Sequence, residues 1–404
     1  LGFLLYKNSE PAERSNARRV LDHRSAATER RPADLILSYK YRINPNRTHA
    51  ASLDAMLADF CSLYNACLQQ RIEAYRRQGK SLHYVDQASE LKAVRCAVPE
   101  IARWSFSAEQ QVIRRVDKTF RAFFRRGKGF PRFRAQARFH AAEFRVGDGL
   151  TLRKSGKLGF VGVPGEIKVR WHRDLPSEPK SAILTRQNGK WYVIFHVEVA
   201  ATERANDLTV GVDVGLTNLI ALSTGETAER PNWTKRAAKG LRRRQRALAR
   251  CKRRSNVRAK RKRALAKFQA RIANRRRDAL HKISRDIVSR FGRIAVEDLN
   301  IKGLAAGMLA KHVNDAAWAQ LIQMLAYKAE RAGCEFIRVD PRGTSQTCPE
   351  CGHVAAKTLA ERVHRCDCGC TVDRDVAAAM VVHFRAFGFW PGAGREESSE
   401  PVAA

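Results

Sequence analysis

Five of the chain's ten cysteines crowd between Cys348 and Cys370. The other five, Cys61, Cys67, Cys96, Cys251 and Cys334, stand singly in helical-looking segments. That distribution is not a secreted disulfide framework; it points to a metal site in a reducing compartment. Cys348-Pro349-Glu350-Cys351-Gly352 opens a knuckle whose glycine lets backbone amides turn toward sulfur. Cys366 and Cys368 follow as a CxC pair, with Gly369 behind. Four thiolates suit a closed, tetrahedral, structural Zn2+ site. The ion would hold together a short ribbon with almost no core of its own. Spacing leaves the ligand set open: Cys370 is an alternative to Cys366 or Cys368, and His353 and His364 are weaker substitutes.

The rest of the chain is strongly basic. It has 404 residues, 44% hydrophobic, with 76 Lys+Arg against 40 Asp+Glu and a formal net charge of +36. That length allows two or three domains with a substantial core. Self-repulsion on this scale calls for a polyanion, nucleic acid first and an anionic membrane surface second. No run of 18 or more apolar residues exists, so no spanning helix is expected. The opening "LGFLLYKNSEPAERSNARR" has an apolar stretch too short and too early for a secretory signal.

The charge is concentrated. Thr234–Arg290 carries 24 Lys/Arg and 2 acids, a net +22, while the remaining 52 basic and 38 acidic residues leave +14. Two acids cannot supply i,i+4 partners for that many bases. This stretch, one long helix or a helical hairpin, reads as a groove that tracks a nucleic-acid backbone. Its candidate contacts are Arg242, Arg243, Arg244, Arg246, Arg250, Lys252, Arg253 and Arg254. A second candidate surface is the Arg-rich face of a helix over Ser107–Arg126, with Arg114, Arg115, Lys118, Arg121 and Arg125. "GFPRFR" follows it, with Phe130 and Phe133 between basic side chains, and both are candidates for contact with a nucleic-acid duplex.

Periodicity sketches the order of elements. Residues 1–34 show no clean period and read as a disordered leader; 386–404 read as a disordered tail. "LILSYKYRINP" alternates as a strand. Helical spacing follows over about His49–Arg77, stopped by Gly79, and over about Val85–Ala97. From Phe144 to Val199 short alternating strands, with a tight turn at Asn188-Gly189, predict a small barrel. Beyond it come a buried hairpin at Leu208–Glu226, the basic stretch, a strand "RIAVEDL", a helix over about Asp315–Ala332, and a strand "EFIRVD", an α/β order.

Three carboxylates sit on that α/β unit. In "TVGVDVG", Val210, Val212 and Val214 share one face, and Gly211 and Asp213 the other. An acid in the middle of a valine strand is costly unless a cation meets it. Gly211 and Gly215 are expected to leave room for a phosphate or metal near the backbone. Glu297 ends another apolar strand, with Asp298 beside it as an alternative. In "TVDRDVAAAM", Asp373 is the natural N-cap, and Asp375 lies in the first turn, where the helix dipole favours its ionised form. Two divalent ions about 4 Å apart need several converging carboxylates. Oxygen donors would select hard Mg2+ or Mn2+.

In this order, "GVDVG", the basic insert, "AVEDLN", "DPRGTSQTCPECG", a second cysteine pair and "DRDVAAA" resemble the TnpB (OrfB) family of transposon-encoded, RNA-guided DNA nucleases, similar to type V CRISPR effectors. The resemblance runs from near "SYKYRINP" to about Val382, some 350 of the 404 residues. It implies a multidomain α/β fold: an RNase H-like (RuvC) nuclease domain with an inserted zinc ribbon, an N-terminal β-barrel wedge and a helical recognition module. The domains would be a wedge over 35–46 and 135–205, a recognition module over 47–134, a nuclease domain over 206–345 and 370–385, and a ribbon over 346–369. Matched by motif, the catalytic acids are Asp213, Glu297 and Asp375, which would hold Mg2+ or Mn2+. The zinc ligands are Cys348, Cys351, Cys366 and Cys368. Departures from the pattern are the CxC spacing, Cys370 after "CG", Ala377 where the family often has Asn, and the segment before residue 35.

The implied activity is RNA-guided, two-metal hydrolysis of target DNA. The partners are a guide RNA and double-stranded DNA, with no membrane, and the chain would act as a monomer in a bacterial or archaeal cytosol. The guide would read sequence by base pairing, and the protein only a short flanking motif. Rival expectations are a non-cleaving DNA-binding repressor and a transposition accessory protein.

Overall fold

The computed structural model describes residues 35–200, 202, 206–307, 310–358 and 361–391. The expected leader, and the tail from residue 392 onward, lie outside them.

The first strand, β1 (Leu35–Asn44), turns Tyr39, Tyr41 and Ile43 inward and the residues between them outward. Four helices then intervene before the chain returns to strands: α1 (Arg47–Gln78), α2 (Tyr84–Ala97), α3 (Pro99–Ala102) and α4 (Phe106–Arg126). Asn46 and Ser105 cap the starts of α1 and α4, and Gly79 and Gly127 end them in the left-handed conformation. Strands β2 (Ala141–Val146), β3 (Gly149–Leu152), β4 (Lys157–Phe160), β5 (Val163–Arg170), β6 (Ser181–Gln187) and β7 (Lys190–Val199) complete a closed barrel in the order β1-β5-β4-β3-β2-β6-β7. The β6–β7 turn is Asn188-Gly189, both at positive φ (51° and 75°), as a two-residue hairpin turn requires. Barrel and helices share one core, in which Leu53, Phe60 and Tyr64 of α1 and Val112 and Val116 of α4 meet Phe144, Leu184 and Phe195 of the barrel. Arg115 departs from the exposed role expected of it. It lies against this core, with Nη1 donating to the Ala141 carbonyl and the guanidinium 4.7 Å from the Phe139 ring.

The second body is a five-stranded mixed sheet. Strands β8 (Thr209–Asp213), β9 (Asn218–Leu222) and β10 (Thr227–Glu229) form an antiparallel meander. After helices α5 (Trp233–Ala249) and α6 (Asn256–Arg290), β11 (Arg293–Glu297) adds parallel to β8. Helices α7 (Ile301–Leu304), α8 (Ala310–Ala316) and α9 (Trp318–Arg331) lead to β12 (Glu335–Val339), parallel to β11. The sheet order is β10-β9-β8-β11-β12. Val210, Val212, Ile294 and Val296 face α6 and α9, packing with Leu280, Ile287, Leu321 and Leu325. The opposite face is covered by α10 (Arg374–Phe387), which follows the small hairpin of β13 (Val363–Arg365) and β14 (Thr371–Asp373).

The structure decides between one pair of sequence alternatives and amends two expectations. Of the two forms open to Thr234–Arg290, the chain takes the hairpin, α5 against α6, with Arg258 closing the turn by donating to the Leu248 and Cys251 carbonyls. The single helix expected over Asp315–Ala332 is two, broken at Ala317 (φ 57°). Anchors on either side explain the break. Asp315 caps α5 by accepting from the Thr234 amide and hydroxyl and from Arg276, while the Trp318 indole donates to the Gly215 carbonyl. The segment from 386 is not all tail: α10 runs to Phe387, and Trp390 stacks on Phe384 with centroids 4.1 Å apart.

Candidate active site and metal cluster

The sheet and α10 keep step with one another. Thr209 Oγ1 lies 2.7 Å from His383 Nε2. Two residues along β8, a Cβ on Gly211 would fall 2.1 Å from the Ala379 carbonyl oxygen and 2.6 Å from the His383 amide nitrogen. A strand advances about 6.6 Å in two residues and a helix about 6 Å in four. One rung further on, Asp213 on β8 therefore meets Asp375 in the first turn of α10. Gly211 makes room for this helix, not for a ligand as its sequence suggested. Gly215 is likewise occupied: a Cβ there would meet the Asn218 carbonyl at 2.7 Å and Asp375 Oδ2 at 3.4 Å.

The third acid comes from the neighbouring strand. In the parallel register Gly211 faces Ala295 and Val212 faces Val296, so the next rung brings Asp213 beside Glu297. Both carboxylates sit at the carboxyl ends of their strands, on the α10 side. Glu297 is buried and accepts a hydrogen bond from the Thr344 hydroxyl. Asp298, the alternative, is exposed and paired with Arg338 at 3.0 Å. Asp373 does cap α10, accepting from the amides of Asp375 and Val376 at 2.9 and 3.2 Å.

Compensation of the three acids is incomplete: Arg374 acts on Asp213 and Asp375, Arg362 on Asp375 and Arg385 on Glu297, each outweighed by burial. Burial, then the charges of Glu297 and Asp375, holds the Asp213 carboxyl well above the usual range. Burial also raises Glu297, against the pull of the Thr344 hydrogen bond. Asp375 is raised by burial and by Asp373, against the Asn218 side chain, which donates to its Oδ2 at 3.2 Å. Among the described residues none of the three has an ion-pair partner. The nearby guanidiniums are engaged with backbone: Arg374 with the Thr358 and Glu361 carbonyls, Arg385 with those of Asp340 and Arg342. Carboxylates brought to one end of a sheet are the donor type a hard divalent cation selects. Thr344, Asn218, Trp318 and Arg385, which orient these acids and their loops, carry no local sequence signal for that task.

The cysteine ribbon stands immediately before α10. The sulfurs of Cys348, Cys351, Cys366 and Cys368 lie within 4.8 Å of one another. Cys348 and Cys368 are 3.6 Å apart, and Cys351 and Cys366 3.5 Å. Sulfurs at about 2.3 Å from a tetrahedral zinc would be about 3.8 Å apart, so this set fits the ion. A second grouping, Cys348, His364 and Cys370, shares one ligand with the first. Burial and the neighbouring Cys348 push the Cys370 thiol up to about 12. Cys348 goes the other way, to about 5: burial opposes ionisation, but the amides of Cys351 and Glu350 outweigh it. The structure thus groups the four thiols expected from the motif, and sets Cys370 with His364 in the second grouping.

Of the basic candidates, Arg242, Arg243, Arg246, Arg250, Lys252, Arg253 and Arg254 are exposed along α5 and its turn into α6. Arg244 is partly occupied, 4.0 Å from the Phe268 ring and donating to the Gly240 carbonyl. On α4, Arg114 lies over the Tyr84 ring at 4.4 Å, and Arg121 pairs with Asp117 at 2.7 Å. Sequence reading missed the barrel's share. A cleft of about 1050 Å³ runs between Lys40, Arg42 and Arg170 of the barrel and Lys267, Arg271 and Arg275 of α6, with no acid in its lining. Burial, then Arg277, lowers the Lys40 pKa.

Comparison with known proteins agrees with this architecture. Residues 192–307 match the family model OrfB of IS605, described as "Probable transposase", and residues 318–382 match the "Cas12f1-like, TNB domain". A Streptomyces pristinaespiralis protein named "Putative RNA-guided DNA endonuclease" is 33% identical over 352 residues, 85% of this chain and 87% of its own length. The chain belongs to the OrfB (TnpB) family. Another relative, Escherichia coli K12 "Putative RNA-guided DNA endonuclease InsQ", is 28% identical over 352 residues, 81% of this chain and 87% of its own. The OrfB chain also superimposes on Cas12f1 from a Cas12f1–sgRNA–target DNA complex, covering 83% of this chain and 82% of that one with a TM-score of 0.56 at 13% identity. The two share a Cas12-like multidomain α/β fold. The second family match in this OrfB chain spans all five clustered cysteines and Asp375.

Proposed function

We propose that this OrfB-family chain is an RNA-guided DNA endonuclease of a transposable element, cutting DNA by two-metal phosphodiester hydrolysis. The observation that carries the reading is the approach of the half-buried Asp213 and Asp375 to each other and to the buried Glu297 at one end of the sheet, with no ion-pair partner among the described residues. The sheet order supports a RuvC-like nuclease domain of the RNase H class, with the barrel as wedge, α1–α4 as recognition module and the cysteine ribbon as an inserted Zn2+ site.

Asp213, Glu297 and Asp375 would hold Mg2+ or Mn2+ through carboxylate oxygens. Bound there, the ions supply a water oriented in line with the scissile phosphate and charge for the leaving oxygen. The chain's own work is positioning. The Thr344 hydroxyl fixes one oxygen of Glu297, and Asn218 fixes Oδ2 of Asp375. Trp318 pins the Gly215 turn that follows Asp213, and Arg385 ties the loop that delivers Thr344. The products would be a 5′-phosphate and a 3′-hydroxyl. The acid-free cleft between barrel and α6 would hold nucleic-acid backbone.

Sequencing the RNA recovered with the purified protein tests the reading, followed by offering a duplex that matches it. Metal-dependent cutting of the matched duplex alone, lost in Asp213→Ala with binding retained, is expected. Binding without cutting would return the chain to the repressor reading; no bound RNA would return it to the accessory reading.

A further inference from the structure

A cleft of about 1000 Å³ opens on the helical module, away from the acids, between the end of α1, the start of α2 and the end of α4. Its walls are aromatic. Phe130 meets Phe120 and Phe123 edge-on at 5.8 and 5.4 Å, and Phe124 stacks on Phe120 at 6.4 Å. These rings are open to solvent: Phe124 is 75% exposed, Phe130 50%, and Tyr75 opposite them 65%. A folded chain rarely leaves so many large aromatic side chains together on its surface without a partner.

The floor of the cleft carries a second observation. Arg71 is only 5% exposed. Its Nε donates to Gln87 Oε1 at 2.7 Å and its Nη1 to Asp117 Oδ1 at 3.2 Å, yet Nη2 has no partner. A buried guanidinium donor left unmatched costs free energy that an incoming acceptor would recover. Charge then selects the occupant. Arg76, Arg121 and Arg125 line the rim, and the only acid in the lining, Asp117, is already bonded to Arg71 and Arg121. A second copy of the chain docked here by a two-fold would set arginines against arginines. A nucleobase meets both demands: π-faces for the rings, edge acceptors for a guanidinium, and flanking phosphates for the rim.

We propose that this cleft captures an unpaired nucleobase of a single-stranded nucleic acid, stacked among Phe120, Phe124 and Phe130, with Arg71 Nη2 donating to its edge and Arg76 and Arg125 holding the adjoining phosphates. This deepens the nucleic-acid-guided reading and rests on it. It also revises the expectation that "GFPRFR" meets a duplex: stacked pairs would not present a free base face to the rings.

Photo-crosslinking the full chain to a short single-stranded DNA containing 5-iodouracil, at about 0.5 M salt to suppress phosphate-only binding, tests it. The crosslink is expected on the peptide that carries Phe120–Phe130. Phe124→Ala with Phe130→Ala, both on exposed side chains, should abolish it and weaken binding about tenfold. A crosslink elsewhere, or undiminished binding by the double variant, overturns the proposal. So does a chain dimer that the double variant dissolves, because the occupant is then a second copy. Cleavage of matched duplex by the same preparations separates the two failures. If the cleft variants bind normally while Asp213→Ala is dead, the cleft idea falls and the nuclease stands. If Asp213→Ala cuts normally, the nuclease assignment falls whatever the cleft does.

Discussion

The carbonyl oxygen of Ala379 lies 2.1 Å from the point where a side chain on Gly211 would begin. Helix α10 therefore rests directly on the backbone of β8, closer than any residue with a Cβ would permit. That packing sets the height of the helix, and through it the distance between Asp375 and Asp213.

Gly211→Ala should then separate the acids without touching either. Overpacking here costs about 1–3 kcal/mol of stability. A shift of about 1 Å at the helix start would cut cleavage about a hundredfold. Thermal melting and single-turnover cleavage measure both; wild-type cutting by the variant would contradict the close packing.

Asp213→Asn should stabilise the metal-free protein while abolishing cleavage. Burial and the neighbouring acids raise the Asp213 carboxyl, so the folded state holds that proton more tightly than the unfolded chain does. Stability from that proton is complete below the unfolded value of about 3.9 and is lost as pH rises through the raised folded value. At pH near 8 in chelator, the variant should melt above wild type, by about 2–4 °C for each kcal/mol relieved. The gap should shrink toward pH near 4, and added Mg2+ should raise wild type more than the variant. An equal response of both proteins to Mg2+ would count against metal binding at these acids.

The ribbon should carry one zinc per chain. Cys351→Ser should lose it and lower the melting temperature, because Cys351 belongs to the four-sulfur cluster. Cys370→Ser should keep it. Elemental analysis of the purified variants decides; zinc lost from the Cys370 variant would favour the set with His364.

Replacing Arg242, Arg243, Arg246 and Arg250 by Ala should weaken nucleic-acid binding at low salt. It should flatten the plot of log affinity against log salt by about 0.9 for each duplex phosphate no longer neutralised. An unchanged slope would remove α5 from the binding surface.

Local pattern made some of this legible. The alternation of Tyr39, Tyr41 and Ile43, the caps of α1 and α4, and the Asn188-Gly189 turn are encoded by adjacent residues, and the structure has them. Asp373 as cap with Asp375 in the first turn was equally readable. What escaped depends on residues far apart in sequence. The break at Ala317 has no Gly or Pro to announce it, because its cause is Asp315 reaching α5 and Trp318 reaching Gly215. The role of Gly211 could not be read without knowing that α10 would lie on it. The cleft facing α6 needs Lys40 and Arg170 from a barrel whose closure no single strand reveals.

The most direct test of the central claim is anomalous scattering from manganese in crystals of the protein. Two peaks about 4 Å apart are predicted, each about 2.1 Å from oxygens of Asp213, Glu297 or Asp375. A preparation that cuts DNA, yet shows no manganese beside these acids, would contradict it.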